Sequence, residues 1–137
     1  WEEVFIYLLK ELRKPPNTIQ KTKAIALLLH KENRSIELLE LIRQSKSVDL
    51  FIKHIDGFYT LEPTDIYDVS IYILRYYLRN HVGRNISQKT KQMLDAMTAN
   101  GLNDIVRQII AILVSEYGER NSLMEELNLK IPDSDEN

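Results

Sequence analysis

The segment from Thr64 to His81 is apolar around most of the circumference that it would present as a helix. At about 3.6 residues per turn, its aliphatic and tyrosine side chains occupy two adjoining faces. One face consists of Ile66, Val69, Ile73 and Tyr77, and the other consists of Tyr67, Ile71, Leu74 and Leu78. A helix on the surface of a protein needs a single apolar stripe of about 100°. The segment therefore predicts a helix that neighbours cover on two sides or more.

A narrow polar strip runs along the same predicted helix. Its members recur at helical spacing and so lie on one line: Asp68, Tyr72, Arg75 and Arg79. A second strongly apolar helix, predicted from Asn103 to Tyr117, carries the strip Asp104, Arg107, Gln108 and Ser115. Tyrosine and arginine are enriched in the hot spots of protein interfaces, where truncating one side chain can cost ~2 kcal/mol or more.

These strips predict a partner-binding surface. We place in it Asp68, Tyr72, Arg75, Tyr76, Arg79, Arg107 and Gln108. If the two helices pack side by side, their strips adjoin and form one groove. A structural interpretation stays open, in which Tyr76 and Tyr77 pack in the core with their hydroxyls at its rim. In that interpretation Arg75 pairs with Asp68 or Glu62.

Turn and capping residues divide the chain into about eight helices that short turns connect. Pro15-Pro16 ends the first helix, because proline cannot continue one. Thr18, Ser35 and Ser47 are predicted N-caps, whose side chains accept hydrogen bonds from the first helical amides. Gly57 is predicted to end a helix in the left-handed conformation. Since every apolar run continues a longer capped helical pattern, the sequence predicts an all-α fold.

The 137 residues fit one domain, which we place at residues 1–131. Residues 132–137 are acidic and carry no aliphatic or aromatic side chain, so they predict a disordered tail that folding does not need. The absence of cysteine excludes disulfides and thiolate zinc sites, and it favours an intracellular compartment. No segment approaches the ~18 consecutive apolar residues of a membrane span. Because the chain begins at Trp1, we expect it to be part of a longer protein.

Three strongly apolar helices can be aligned on Leu28, Leu74 and Leu113, with separations of 46 and 39 residues. This spacing resembles that of armadillo and HEAT repeats, whose units span about 40–47 residues. The resemblance implies a right-handed helical stack in which the inner helix of each unit packs between two neighbours. Armadillo units clamp peptides with an inner-helix asparagine, but the matching positions here are roughly His30, Tyr76 and Ser115. A compact antiparallel helical bundle is the alternative.

No catalytic motif is present in the sequence. The three histidines, His30, His54 and His81, fall at the ends of separate predicted helices, and none has a His, Asp or Glu four residues further on. A histidine near a helix C-terminus is explained by its favourable interaction with the helix dipole. Neither a G-x-S-x-G motif nor a glycine-rich phosphate loop occurs. We therefore expect no enzyme, no metal and no cofactor.

These patterns favour a protein–protein interaction module, a scaffold or adaptor within a larger intracellular protein. Its partner would be an acidic helix or peptide bound in the Tyr/Arg groove, with no membrane involved. One alternative is a nucleic-acid-binding module that uses a basic first third, Lys10, Arg13, Lys14, Lys21, Lys23 and Lys31, although the net charge of −2 disfavours it. Another alternative is self-assembly through Trp1, Phe5 and Leu8.

Overall fold

The computed structural model describes residues 1–129, which form eight α-helices and no strand. The helices are α1 (Glu2–Leu12), α2 (Ile19–Lys31), α3 (Ser35–Ser45), α4 (Val48–His54), α5 (Pro63–Asn80), α6 (Arg84–Ala99), α7 (Asn103–Tyr117) and α8 (Asn121–Glu126). A 3-10 turn, Ile55–Phe58, follows α4 directly. The prediction of an all-α fold is confirmed. The predicted acidic tail, 132–137, lies outside the described residues.

The helices pack in two rows. In the first row α5 lies between α3 and α7, and in the second row α2, α4, α6 and α8 pack in that order. Contacts of α2 with α3, of α3 with α4, and of α6 with α5 and α7 join the rows, while α1 packs on α2. Because α3, α6 and α7 all contact α5, the prediction that neighbours cover this helix on two sides or more is confirmed.

In the second row, the beginnings of neighbouring helices lie close together. Lys89, early in α6, binds Asp49 at the start of α4 across 2.7 Å. The hydroxyls of Ser87 in α6 and Ser122 in α8 are 3.2 Å apart. Helices α4, α6 and α8 therefore begin next to one another.

The first row supplies much of the core. Ile73 and Leu74 of α5 and Ile109 and Leu113 of α7 are fully buried. Their burial is the main term that stabilises the stack, because removing apolar surface from water is the dominant favourable term in folding. Within residues 1–129 no helix has both the length and the apolar character that crossing a membrane requires.

The aligned leucines do not occupy equivalent positions. Leu74 and Leu113 are fully buried in the first row, whereas Leu28 is half-buried on α2 in the second. The main contacts of α2 are with α1, α3 and α4. The predicted equivalence of α2 with α5 and α7 is therefore wrong. An apolar run in the sequence indicates that a helix is buried, but it does not indicate which row the helix belongs to.

Two of the predicted N-caps are confirmed. The Thr18 hydroxyl accepts a hydrogen bond from the Lys21 amide, and the Ser47 hydroxyl accepts one from the Leu50 amide, both at 3.1 Å. Ser35 is different, because it is the first residue of α3 and is buried. The prediction for Ser35 is wrong.

Gly57 ends no helix in the left-handed conformation, so that prediction is also wrong. Among the described glycines, the positive φ angles are +114° at Gly83 and +80° at Gly101. Gly57 lies inside the 3-10 turn, where a Cβ atom would sit 3.0 Å from Nε2 of His30. Close approach of an imidazole ring, rather than backbone conformation, accounts for glycine at this position.

Candidate functional site

The predicted polar strip of α5 lies on the outside of the first row. Asp68 and Arg79 are exposed, Arg75 is half-buried, and Tyr72 and Tyr76 are 39% and 42% exposed. Large side chains thus remain accessible on a helix whose other faces are covered by α3, α6 and α7. The alternative interpretation, in which both Tyr76 and Tyr77 pack in the core, applies to Tyr77, which is partly buried against it, but not to Tyr76.

Two cations from the C-terminal end of α3 cover the tyrosine rings. The Arg43 guanidinium lies over the ring of Tyr72 at 5.7 Å from its centroid, and the Lys46 ammonium lies over the ring of Tyr76 at 5.3 Å. A cation over an aromatic face is attracted by the negative potential of the ring. We call this surface, formed by Arg43, Lys46, Tyr72, Tyr76 and Arg79, the tyrosine face.

Arg43 is held in place by its own helix. Its guanidinium donates two hydrogen bonds to Glu40, one turn earlier, and the bond from Nε is 2.9 Å long. These bonds lower the pKa of the Glu40 carboxyl below its ordinary value. The side chain that lies over Tyr72 is therefore positioned before any partner arrives.

Lys46 ends α3 in an unusual backbone conformation. Its φ is 53° and its ψ is 34°, in the left-handed region that a residue with a Cβ atom rarely adopts. This conformation closes the helix, since the Lys46 amide donates to the carbonyls of Ile42 and Arg43. Such strain is concentrated at functional positions, and here it accompanies a lysine rather than the glycine that is usual at a helix end.

Arg75 joins α5 to α7. Its Nε and Nη2 donate to the two carboxylate oxygens of Glu116 at 3.1 and 2.7 Å, which is a bidentate pair. These bonds lower the pKa of Glu116. The expectation that Arg75 pairs with Asp68 or Glu62 is wrong, because the preferred carboxylate comes from the neighbouring helix. A partner would have to displace Glu116 in order to bind this guanidinium.

Arg79 lies one turn after Arg75 and is exposed. Its charge also helps to lower the pKa of Glu116, whose two oxygens are both bound to Arg75. Of the two arginines on the strip, Arg79 is therefore the one that can offer its donors to an incoming carboxylate.

The structure does not bring Arg107 to the tyrosine face. Arg107 and Glu116 are about two and a half turns apart on α7, which places them on opposite sides of that helix. Since Glu116 faces α5, Arg107 faces away from it, and it pairs with Asp104 one turn earlier. Gln108 is exposed on the same early turns of α7. The predicted single groove across α5 and α7 therefore does not include Arg107.

The basic first third is largely occupied by internal contacts. The Lys21 ammonium donates to the carbonyls of Lys14 and Pro16, each at 3.0 Å, and so holds the turn between α1 and α2. Lys14 pairs with Glu11 at 3.0 Å. Lys31 lies over the Trp1 ring at 5.2 Å. These three cations therefore contribute to the packing of the N-terminal helices.

Helix α1 leaves apolar residues in solvent. Trp1 is 57% exposed and Tyr7 is 60% exposed, and Val4 and Ile6 are at least half exposed. Phe5, which was expected at a self-assembly surface, is fully buried instead. Leu8 is half-buried.

The histidines do not form a metal centre with acidic residues. Within residues 1–129, no group of three or more His, Asp or Glu side chains is placed to hold a metal ion. His81 is exposed, and its Nδ1 lies 3.0 Å from the carbonyl oxygen of Tyr77. His30 and His54 contact one another.

Sequence reasoning missed three members of this region: Arg43, Lys46 and Glu116. Arg43 and Lys46 belong to a different helix from the tyrosines that they cover, and Glu116 is 41 residues from Arg75. The sole local signal was the position of the two cations near a helix C-terminus, where positive charge is favoured in any helix.

Comparisons with protein families, with curated proteins and with solved structures found no match to this chain.

Proposed function

We propose that this chain is a protein-interaction module that binds an acidic segment of a partner protein on the tyrosine face. We propose also that its two rows of helices are a short right-handed stack of the armadillo or HEAT type. The contacts of α5 with α3 and α7 in one row, and of α4 with α2 and α6 in the other, support the stack. No catalytic step is part of the proposal.

The observation that carries the proposal is the exposure of two tyrosines on a helix that three other helices cover. Tyr72 and Tyr76 are one turn apart, and each has a cation from α3 over its ring. Exposed aromatic rings beside arginine are the composition of binding hot spots. Since both rings are held by neighbours, binding them costs little side-chain entropy.

The charge around the tyrosines selects an acidic partner. Arg43, Lys46 and Arg79 place three positive charges on the tyrosine face, and Glu40 neutralises the first of them. Asp68 adds one negative charge a turn before Tyr72, so the net positive charge lies towards Lys46 and Arg79. A carboxylate that reaches Arg79 or Lys46 would form a charge-assisted hydrogen bond, while the rings would contact the apolar part of the same segment. Such charge complementarity raises the association rate and disfavours basic partners.

The test uses short peptides selected from a random library on the full chain, with affinities then measured by fluorescence polarisation. We expect the selected peptides to be acidic and Arg79→Glu to weaken their binding by about tenfold or more. Arg107→Glu is the matched control, because it makes the same charge change at an exposed arginine that faces away from α5. We expect it to change the affinity less than twofold.

Arg79 belongs both to the tyrosine face and to the surface predicted from the sequence, whereas Arg107 belongs to the predicted surface alone. The two variants therefore distinguish these surfaces. Equal losses for Arg79→Glu and Arg107→Glu would indicate general attraction of acidic peptides to a charged protein. Full affinity in Arg79→Glu, with its circular dichroism unchanged, would place the binding surface elsewhere. Either result overturns the proposal.

Self-assembly is a second candidate function, which the exposed apolar residues of α1 favour. Val4 and Tyr7 lie on α1, whose main contact is with α2, and Trp1 directly precedes this helix. Sedimentation velocity over a wide concentration range tests it. A dimer that Tyr7→Gln abolishes would support this candidate, and a monomer at all concentrations would reject it.

A further inference from the structure

A contact between two imidazole rings joins α2 to α4 inside the protein. Nδ1 of His30 and Nδ1 of His54 are 2.7 Å apart, and the rings meet edge to face. His54 is 1% exposed, whereas the side chain of His30 is 29% exposed. At this distance one nitrogen donates a hydrogen and the other accepts it.

The surroundings decide which nitrogen donates. Nε2 of His54 is buried and has no hydrogen-bond partner among the described residues. A buried donor without a partner costs more than a buried acceptor that is left empty. We therefore assign the hydrogen of neutral His54 to Nδ1, from which it is donated to Nδ1 of His30. The hydrogen of His30 is then on Nε2, which lies 3.6 Å from a carboxylate oxygen of Asp56.

The His30 ring also packs against the 3-10 turn. Gly57 approaches the His30 ring so closely that a Cβ atom would be 3.0 Å from Nε2. On the other side of this residue, the Ser35 hydroxyl donates to the Gly57 carbonyl at 2.7 Å. Helices α2, α3 and α4 and the turn thus meet at one polar corner of the core.

His54 cannot accept a proton without losing this arrangement. A second hydrogen on His54 would be a buried N–H at Nε2 with no acceptor. The buried donor is then left unpaired, and the unfavourable state is relieved when the rings separate.

We propose that the contact between His30 and His54 is a proton-sensitive latch, which holds α4 and the 3-10 turn against α2 while both rings are neutral. Acidification opens this corner before the rest of the fold unfolds. The charged groups that act on His54 are His30 from α2, Lys53 from α4 and Asp56 from the turn. Lys53 opposes a proton on His54, and Asp56 favours one.

The sign of the pH effect follows from His54. Burial lowers the pKa of His54, and the charges of His30 and Lys53 act in the same direction. A histidine in the opened corner has its ordinary pKa of about 6.5. The opened form therefore binds more protons, and the closed form is fully favoured above about pH 6.5 and loses stability as the pH falls.

Hydrogen exchange of the full chain measures the opening, with rates corrected for the intrinsic effect of pH. Between pH 7.5 and 5.5 we expect the opening constant of residues 48–58 to rise by up to about tenfold, the change that one extra proton allows. Residues 103–117 of α7 serve as the internal reference, and their opening constant should change less than twofold. Equal loss of protection in both segments would overturn the latch.

His54→Asn is the decisive variant, because the amide nitrogen of asparagine replaces Nδ1 as a donor to His30 but cannot take up a proton. We expect it to reduce the pH response of residues 48–58 to less than twofold. His81→Asn is the matched control at an exposed histidine, and it should respond as the unaltered chain does. A full response in His54→Asn would overturn the proposal.

Nitrogen NMR of the three histidines tests the same assignment without any substitution, in case His54→Asn does not fold. We expect the His54 signals to report a neutral ring protonated on Nδ1 at pH 7.5, and to stay constant down to pH 5.5 in the closed form. A His54 ring protonated on Nε2, or one that titrates with the closed form intact, would contradict the latch.

Discussion

Helices α1 and α5 are both rich in apolar residues, yet they differ in how many of those residues are buried. In α5 the aliphatic side chains are all buried, among them Ile73, Leu74 and Leu78. In α1 just Phe5 and Leu9 are buried, and Trp1, Val4, Ile6 and Tyr7 remain at least half exposed. The difference is in the neighbours, since α3, α6 and α7 contact α5, whereas the main contact of α1 is with α2.

This comparison separates two properties that an apolar helix combines. The composition of the helix sets how much apolar surface it could bury. The number of neighbouring helices sets how much apolar surface it does bury. On α5 the uncovered remainder is a polar and aromatic strip. On α1 the uncovered remainder is apolar.

The largest effect on stability is expected at Leu74, in the covered part of α5. We expect Leu74→Ala to lower the free energy of unfolding by ~2–5 kcal/mol, because it empties a fully buried site. Ile109→Ala on α7 should have an effect in the same range. Urea denaturation followed by circular dichroism measures both. An unchanged midpoint in either variant would mean that its helix is not an inner element of the row.

A smaller effect is expected where α5 meets α7 at the surface. Arg75→Glu replaces the pair with Glu116 by two like charges, so it should lower the denaturation midpoint, and added salt should reduce the difference. The exchange Arg75→Glu with Glu116→Arg should restore the midpoint. If the double variant is as unstable as the single one, the pair does not join the two helices. The loss should remain well below that of Leu74→Ala.

Lys46→Gly should separate folding from binding at the edge of the tyrosine face. Glycine adopts the observed φ of 53° without strain, although it adds entropy to the unfolded chain. We therefore expect the free energy of unfolding to stay within about 1 kcal/mol of its original value. The affinity for the selected acidic peptides should fall, because the cation over Tyr76 is removed. Unchanged peptide affinity would exclude Lys46 from the binding surface.

The smallest effect is expected on α1. Val4→Gln and Tyr7→Gln replace exposed side chains by a residue with good helix propensity, so each should change the free energy of unfolding by less than about 0.5 kcal/mol. Thermal melts at two protein concentrations measure this. A larger and concentration-dependent loss would show that another copy of the chain covers α1 in solution.

Much of the fold followed from local patterns. The capping hydroxyls of Thr18 and Ser47 act within three residues of their own positions, and the burial of α5 follows from its periodicity. Ser35 was misinterpreted because its hydroxyl binds the carbonyl of Gly57, 22 residues away. Gly57 was misinterpreted for a related reason, since the group that needs the space is the ring of His30.

The candidate site could also be predicted from the sequence only in part. The line of Asp68, Tyr72 and Arg79 could be read from helical spacing, because one helix presents it. The cations over the tyrosines and the carboxylate bound to Arg75 could not, because Arg43, Lys46 and Glu116 come from other helices.

By itself the sequence determined that the protein is helical, where most helices begin and end, and which side of α5 is polar. These properties depend on hydrogen bonds and side-chain spacing within a few residues. The tertiary structure alone decided that α2 belongs to the second row, that Arg107 faces away from α5, and that His30 meets His54 in the core. Those outcomes depend on contacts between distant segments, whose register is set by the packing of the whole stack and by no local pattern.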